Sequence, residues 1–246
     1  MARLNSFHLP SPQWPGRIGD TVRLDGGEAR HMLTVLRSRV GDEVRLFDGH
    51  GRDGVFIIRE LTRSRVTLEA ARLHEHPEPK SGVTLAIGWS KSKRRKYLFE
   101  KSVELKGVGI AFWKAERSQG EMPDSSKDTW EEKCLQAAKQ CGNPHLPEIT
   151  LHPGGIPALI EFSRRFDRCF LAWESENVRS PLVPADLAGC RSLIVIGPEG
   201  GLEDFEAEAL ISVGFMPVTL GDSILRWETA AAYCLSLGML ARQETK

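Results

Sequence analysis

The hydrophobic pattern of the chain changes near residue 80. Before that point, short apolar runs alternate with Asp-Gly and Gly-Asp turns, and their length and spacing predict four β-strands. The predicted strands are Thr21–Leu24, Glu43–Phe47, Val55–Ile58 and Arg65–Leu68. Short strands at this spacing indicate a small β-barrel.

A helical pattern interrupts these strands between residues 28 and 41. Met32, Val35 and Leu36 recur at helical spacing, which predicts one short amphipathic helix. Its other side is basic, which is typical of a surface that contacts an anionic partner and also of a plain solvated surface. The cations predicted to be exposed there are Arg30, His31 and Arg37.

The segment 74–80 is polar, proline-rich and without pattern, so it is predicted to link a domain of residues 1–73 to one of residues 81–246. Beyond it, strand-like and helical patterns alternate, which predicts a mostly parallel sheet covered on both faces. Strands are predicted near residues 83–88, 109–114, 148–151, 169–173, 193–196 and 216–220. Helices are predicted near residues 92–105, 126–141, 156–166, 202–213 and 228–242. Ligands are expected at the carboxyl ends of these strands.

Two of the predicted strands end in glycine-containing loops that precede helices. The first loop, Gly197–Gly201, carries no phosphate-binding motif, and the acidic residues after it already occupy a helix start that would otherwise attract an anion. These acids are Glu203, Asp204, Glu206 and Glu208. The glycines suit a close approach of backbone to a flat uncharged group such as a purine, or to a cationic centre. An ordinary tight turn is the alternative.

The second loop, Gly221–Ser223, leads to Arg226 and Glu228 at the start of the last helix. These two residues form either a surface ion pair of small energetic value or a fixed positive charge beside the first loop. A third candidate is the run Ser90–Tyr97, in which five cations precede an aromatic residue. Such a run is either a solvated helix end or a contact with nucleic acid.

Composition narrows the class of protein. The 246 residues are 41% apolar, yet no apolar run approaches the roughly 18 residues that cross a bilayer, and the first residues lack the apolar core of a signal peptide. A cytoplasmic protein without a membrane partner is therefore expected. The net charge of zero hides an excess of six positive charges in residues 1–130, where 23 Lys and Arg face 17 Asp and Glu. The five cysteines form no CxxC pair and predict no metal site.

Specific motifs then carry a resemblance. The segments IGPEGG at 196–201 and LGDSILRWETA at 220–230 resemble the SPOUT-class methyltransferases, specifically the ribosomal RNA small subunit methyltransferase E family. Residues 31–51 resemble the small RNA-binding barrel of that family, which is similar to PUA domains. Lys91, Lys101, Glu104 and Leu105 resemble its K…K-x-x-E-L helix, and the segments 140–142 and 147–149 resemble the stretch before its third strand.

The resemblance implies an α/β protein with a small N-terminal PUA-like β-barrel and a C-terminal SPOUT α/β domain that contains a deep trefoil knot. It implies a homodimer that uses S-adenosylmethionine to methylate N3 of a uridine in 16S ribosomal RNA. The substrate would be free ribosomal RNA or the small ribosomal subunit. Two alternatives are methylation of another RNA base and a catalytically inactive RNA-binding protein.

The resemblance also implies roles for individual residues. Arg226 is the predicted catalytic group that steadies the developing anion or anchors an RNA phosphate, and Glu228 is expected to position it. The predicted cofactor-binding residues are Ile196, Gly197, Pro198, Glu199, Gly200, Gly201, Leu220, Gly221, Ile224, Leu225, Arg226 and Thr229. The predicted RNA-binding residues are Arg30, His31, Arg37, Lys91, Arg94, Arg95 and Lys101.

The chain departs from the family pattern at three places. Asn143-Pro144-His145 stands where the family commonly has an arginine, and Lys106 interrupts the usual Glu-Leu-Gly-Val. Trp227 replaces the usual threonine and is expected either to stack on a nucleobase or to pack at the dimer interface. These departures lie on the substrate side more than on the cofactor side, so the resemblance specifies the methyl donor more closely than the target nucleotide.

Overall fold

A computed structural model describes residues 4–91, 94–175, 178 and 180–244. The chain forms two compact units, and neither is continuous in sequence. The first comprises Met1–Glu78 with Leu135–Leu146, and the second comprises Pro79–Cys134 with Pro147–Lys246. The domain limits 1–73 and 81–246 stay a prediction.

The first unit contains a curled five-stranded sheet. All four predicted strands are present as β2 (Thr21–Leu24), β3 (Glu43–Phe47), β4 (Arg52–Leu61) and β5 (Val66–Glu75), and the short β1 (Ser6–His8) adds a fifth. The order is β1-β3-β4-β5-β2, in which β1 and β3 are parallel and the other pairs are antiparallel. With three residues, β1 is too short to show a periodic pattern. The predicted linker 74–80 begins inside β5, because this strand continues to Glu75.

The predicted amphipathic helix is confirmed, with one correction to its inner face. Helix α1 (Gly26–Arg30) continues as a π-helical turn, His31–Val35, in which the Leu36 amide donates to the His31 carbonyl at 3.1 Å. The extra residue of a π turn rotates the following side chains, so Val35 is exposed although its spacing predicted burial. The predicted cations of this segment, Arg30, His31 and Arg37, are all exposed.

The loop after β3 connects the two sequence segments of the first unit. Asp48 is 1% exposed, and its carboxylate accepts hydrogen bonds from the His50 amide at 2.8 Å and from the Arg52 amide and Nε at 2.9 and 2.7 Å. Beside it, the Gly51 amide donates to the Pro144 carbonyl at 3.0 Å. Residues 143–145, where the family commonly has an arginine, thus pack on this loop in the first unit.

The second unit contains a parallel six-stranded sheet, as the strand–helix alternation predicts. Its order is β11-β9-β10-β6-β7-β8, and every adjacent pair is parallel. The strands are β6 (Gly82–Gly88), β7 (Gly109–Trp113), β8 (Glu148–His152), β9 (Arg168–Ala172), β10 (Arg191–Ile196) and β11 (Met216–Val218).

Helices of the second unit cover both faces of this sheet. They are α2 (Arg95–Glu104), the start of α3 (Asp128–Cys141), α4 (Gly155–Ser163), α5 (Pro184–Leu187), α6 (Asp204–Ser212) and α7 (Trp227–Glu244). Helix α3 passes into the first unit at Leu135. Helices α4 and α6 share one core with alternate residues of the central strands, and α2 and α7 pack on the opposite face. The four-residue α5 carries too little pattern to predict, and residues 92 and 93 of the helix predicted from 92 lie outside the described residues.

Candidate active site

Strand order brings the two glycine-containing loops together. Strand β9 lies between β10 and β11, and Ala172 at its end pairs with Ile196 on one side and Val218 on the other. The loops that follow all three strands therefore leave the same edge of the sheet. They line a cleft of about 1330 Å³, called here the carboxyl-edge cleft. All predicted cofactor residues except Thr229 line it.

The glycine loop, Gly197–Gly201, is held close to the end of β6. The Gly201 amide donates to the Pro198 carbonyl at 2.8 Å, and Gly201 has a φ of 76°, which glycine adopts without strain. A Cβ atom on Gly88 would lie 2.4 Å from the Pro198 nitrogen. The loop can take this position because residue 88 has no side chain.

The acidic start of α6 has the predicted role of satisfying a helix N-terminus. Glu206 is buried, and its carboxylate accepts hydrogen bonds from the Glu203 amide at 3.0 Å and from the Glu116 amide at 2.9 Å. Backbone donors that could bind a phosphate are thus already paired with a carboxylate. This geometry supports the argument against a phosphate site.

Arg117 is a cleft residue that sequence reasoning missed. Its Nη1 donates to the Gly200 carbonyl at 3.0 Å, and its Nε donates to Glu203 Oε1 at 2.7 Å. The hydrogen bond that Arg117 donates to Glu203 raises the pKa of Arg117. The residue follows β7 at the carboxyl edge, and that position is the only signal in the sequence that could have drawn attention to it.

The predicted catalytic residues have different surroundings. Arg226 is exposed in the cleft, and in the described part of the chain its side chain has no ion-pair partner. Glu228 is buried and forms an ion pair with Arg94. The expectation that Glu228 positions Arg226 is therefore wrong for this structure, because the arginine that reaches its carboxylate comes from the start of α2.

Trp227 also has a partner that the sequence did not suggest. The residue is 6% exposed, and its Nε1 donates to Glu199 Oε1 of the glycine loop at 3.3 Å. Burial to this degree leaves no open ring face for a nucleobase. The Trp227 side chain instead connects the start of α7 to the glycine loop.

Among the described residues of the predicted basic run, Arg94 lines the cleft, whereas Arg95 makes other contacts. The Arg95 guanidinium lies 4.3 Å from the centroid of the Trp89 ring and donates to the Ser90 carbonyl at 2.8 Å. Burial lowers the pKa of Arg95. Lys101 pairs with Glu104, and their hydrogen bond raises the pKa of Lys101.

Of the two residues Lys91 and Glu174, only Glu174 lines the cleft. Lys91 is exposed and lies next to the backbone of Gly120. Glu174 follows β9 and lines the cleft, where partial burial raises the pKa of its carboxyl group. Sequence reasoning did not select Glu174 because no glycine or charge pattern surrounds it.

Comparison with known proteins identifies the family. The profile of the RNA methyltransferase domain matches residues 76–239, and that of the RNA methyltransferase PUA domain matches residues 24–70. A ribosomal RNA small subunit methyltransferase E from Mesomycoplasma hyopneumoniae is 32% identical over 74% of this chain and 79% of its own. The chain belongs to the ribosomal RNA small subunit methyltransferase E family. It is a methyltransferase, as its two loop motifs suggested.

Other members of the family agree over almost the whole chain. The Bacillus subtilis protein is 27% identical over 88% of each sequence. The crystal structure of the Neisseria gonorrhoeae member, which is bound to S-adenosyl methionine, has a TM-score of 0.77 and 26% identity, and covers 95% of this chain and 96% of that one. The likeness therefore includes both the curled N-terminal sheet and the parallel C-terminal sheet. Among the described residues, no helix is long and apolar enough to cross a membrane.

Proposed function

We propose that this protein transfers the methyl group of S-adenosylmethionine to N3 of a uridine in 16S ribosomal RNA. The observation that carries the proposal is the meeting of the IGPEGG and LGDSILRWETA segments at one cleft, on loops whose strands flank β9. The reaction is inferred from family membership, and the cleft at which the two segments meet is the proposed site of the reaction.

The residues of the cleft fit the proposed cofactor. The glycine loop offers backbone without side chains for a flat adenine, and the helix start beside it is already satisfied by Glu206, so no phosphate is required. Glu174, Asp222 and Glu199 line the cleft and complement the positive charge of a sulfonium and an amino group. The cleft exceeds the roughly 300–1,000 Å³ of a single small-molecule site, which leaves room for a nucleotide.

When bound, the cofactor supplies an electrophilic methyl group. The uracil N3–H must lose its proton for N3 to attack, and negative charge then develops on the ring. Arg226, exposed at the cleft, is placed by the proposal where its guanidinium can steady that charge or hold an RNA phosphate. Glu228 acts indirectly, since its carboxylate holds Arg94 at the edge of the cleft.

The finer predictions about architecture and assembly belong to the same proposal. The segment after β9 runs beside the chain that leads to α7: the Thr219 amide donates to the Ser180 carbonyl at 2.9 Å, and the Leu182 amide donates to the Thr219 carbonyl at 3.1 Å. This course is compatible with the trefoil knot that the family implies. The closed PUA-like barrel, the homodimer, the cytoplasmic location and RNA contacts by Arg30, His31, Arg37, Lys91, Arg94, Arg95 and Lys101 remain predictions.

Methyl transfer from labelled cofactor tests the proposal directly. Tritium from S-adenosylmethionine should enter undermethylated 16S ribosomal RNA or small subunits, and nucleoside mapping should identify N3-methyluridine. Label at another atom would establish the alternative in which a different base is the target. Absence of transfer to either substrate, with cofactor binding intact, would favour an inactive RNA-binding protein.

A further inference from the structure

The start of α7 holds two separate segments of the cleft through consecutive side chains. Trp227 donates its indole N–H to Glu199 of the glycine loop at 3.3 Å, and Glu228 pairs with Arg94 at the start of α2. Both α7 residues are buried. The first turn of α7 thus contacts two segments that line the cleft, the glycine loop and the start of α2.

The glycine loop has a second contact with a side chain outside it. Arg117 donates to the Gly200 carbonyl at 3.0 Å, and a Cβ atom on Gly200 would lie 3.1 Å from the Arg117 Cβ. Glu199 and Gly200 are neighbours, so two side chains from elsewhere in the chain form hydrogen bonds with the centre of the loop. Without the hydrogen bond from Trp227, the one from Arg117 is the remaining member of this pair.

We propose that Trp227 is a positioning residue that keeps the glycine loop in its cofactor-binding conformation through the hydrogen bond to Glu199. The inference rests on the proposed function, since it concerns the same cleft. The family pattern usually has threonine at this position, and its shorter side chain has no indole N–H to donate. Holding a binding loop in place before the ligand arrives reduces the conformational entropy that binding must overcome.

The test replaces the indole with a ring that cannot donate. Trp227→Phe keeps most of the packing and removes the N–H, and calorimetry should show about five- to tenfold weaker binding of S-adenosylmethionine and of its demethylated product, within the range expected for the net contribution of one hydrogen bond. In the cofactor-free protein, hydrogen exchange of the backbone amides of Gly197, Glu199, Gly200 and Gly201 should become faster. In this variant, kcat should change less than the KM for the cofactor.

Two matched variants separate this role from general effects of truncation. Trp113→Phe makes the same change at a buried tryptophan whose indole N–H has no hydrogen-bond partner among the described residues, and it should leave both readouts near wild type. Glu199→Gln keeps an oxygen that can accept from Trp227, so its loop exchange should stay slow.

The outcomes distinguish the two proposals. If the wild-type protein binds no S-adenosylmethionine, the proposed function fails. If the wild type binds it and Trp227→Phe matches wild type in affinity and in loop exchange, the positioning role is overturned. Equal losses in Trp227→Phe and Trp113→Phe would also overturn it, because the effect would then come from core packing.

Discussion

At the residue scale, several charged groups at the cleft already have a partner. Glu228 holds Arg94, Arg117 holds Glu203, and Glu206 accepts two backbone amides. Arg226 differs from these residues because it is exposed and, within the described residues, its side chain forms no ion pair. A cation in this state can respond to charge that develops on a bound nucleotide, since no fixed carboxylate competes for it.

Arg226→Ala should therefore abolish methyl transfer and leave cofactor binding near wild type. A loss of about 100-fold or more in kcat is expected, which is typical when a group that stabilises transition-state charge is removed. Calorimetry with S-adenosylmethionine checks that the cofactor site is intact. Arg164→Ala removes an exposed arginine directly after α4 and serves as the control. Full activity of Arg226→Ala would refute the catalytic role.

Gly88→Ala tests the close approach of β6 and the glycine loop. The added Cβ would lie 2.4 Å from the Pro198 nitrogen and 2.8 Å from the Gly197 carbonyl carbon, so backbone must move. We expect a loss of about 1–3 kcal/mol in the free energy of unfolding, as for other overpacked sites, together with weaker cofactor binding. Urea denaturation and calorimetry measure the two effects. Gly27→Ala, where a Cβ meets nothing within 4 Å, should be stable.

At the scale of elements, apolar strands and paired charged groups both stabilise the fold. The parallel sheet of the second unit relies on apolar strands such as β6, all of whose residues are buried. In the first unit, two carboxylates with little exposure pair with arginines, Asp48 with Arg52 and Asp53 with Arg45. The stability of this unit should consequently depend on pH.

Acid should destabilise the first unit through these two carboxylates. Burial alone would raise the pKa of Asp48, but hydrogen bonds from Arg52 and His50 outweigh burial and lower this pKa. The pKa of Asp53 is lowered in the same way, because hydrogen bonds from His76 and Arg45 outweigh the effect of burial. A carboxyl group whose pKa is lower in the folded state stabilises the fold above its unfolded value of about 3.9. That contribution is lost as the pH falls through the folded pKa.

Urea denaturation between pH 3 and pH 7 checks this expectation. Asp48→Asn should lower the free energy of unfolding at pH 7 and flatten its decline below about pH 4. Glu161→Gln, at a carboxylate that is 70% exposed, should leave the pH dependence unchanged. An Asp48→Asn profile parallel to that of the wild type would contradict the assignment.

At the scale of the whole molecule, the first unit depends on a segment that lies far along the chain. Helix α3 begins in the second unit and ends in the first, where Lys139 pairs with Glu28 and the Gly142 carbonyl accepts a hydrogen bond from Arg45 at 3.1 Å. Residues 1–78 by themselves lack these partners. The two units are consequently linked by chain connectivity at more than one place.

Cofactor binding should stabilise the whole protein in a thermal melt. A ligand at 100 times its dissociation constant adds about 2.7 kcal/mol to the folded state, which raises Tm by several degrees for a chain of this size. S-adenosylmethionine and its demethylated product should both produce this shift. ATP should not, because the carboxylate of Glu206 already occupies the helix start that a phosphate would need. Absence of a shift in Tm with saturating cofactor would favour the alternative of a catalytically inactive RNA-binding protein.

Local patterns were sufficient for much of the fold. The alternation of strands and helices after residue 80 predicted the parallel sheet, and the acidic residues after Gly201 predicted a helix start unsuited to phosphate. These features depend on neighbours within a few residues, so they are visible along the chain. The two motifs at 196–201 and 220–230 also predicted the family, since their order and separation are specific.

Only the tertiary structure decided which partners the site residues have. The two loops meet because β9 separates β10 and β11 in the sheet, an order that no local pattern contains. Glu228 pairs with Arg94, which is 134 residues distant in sequence, rather than with nearby Arg226. Trp227 reaches Glu199 for the same reason. Periodicity reports which side of an element is buried, whereas the partner of a charged or polar side chain depends on how distant elements pack.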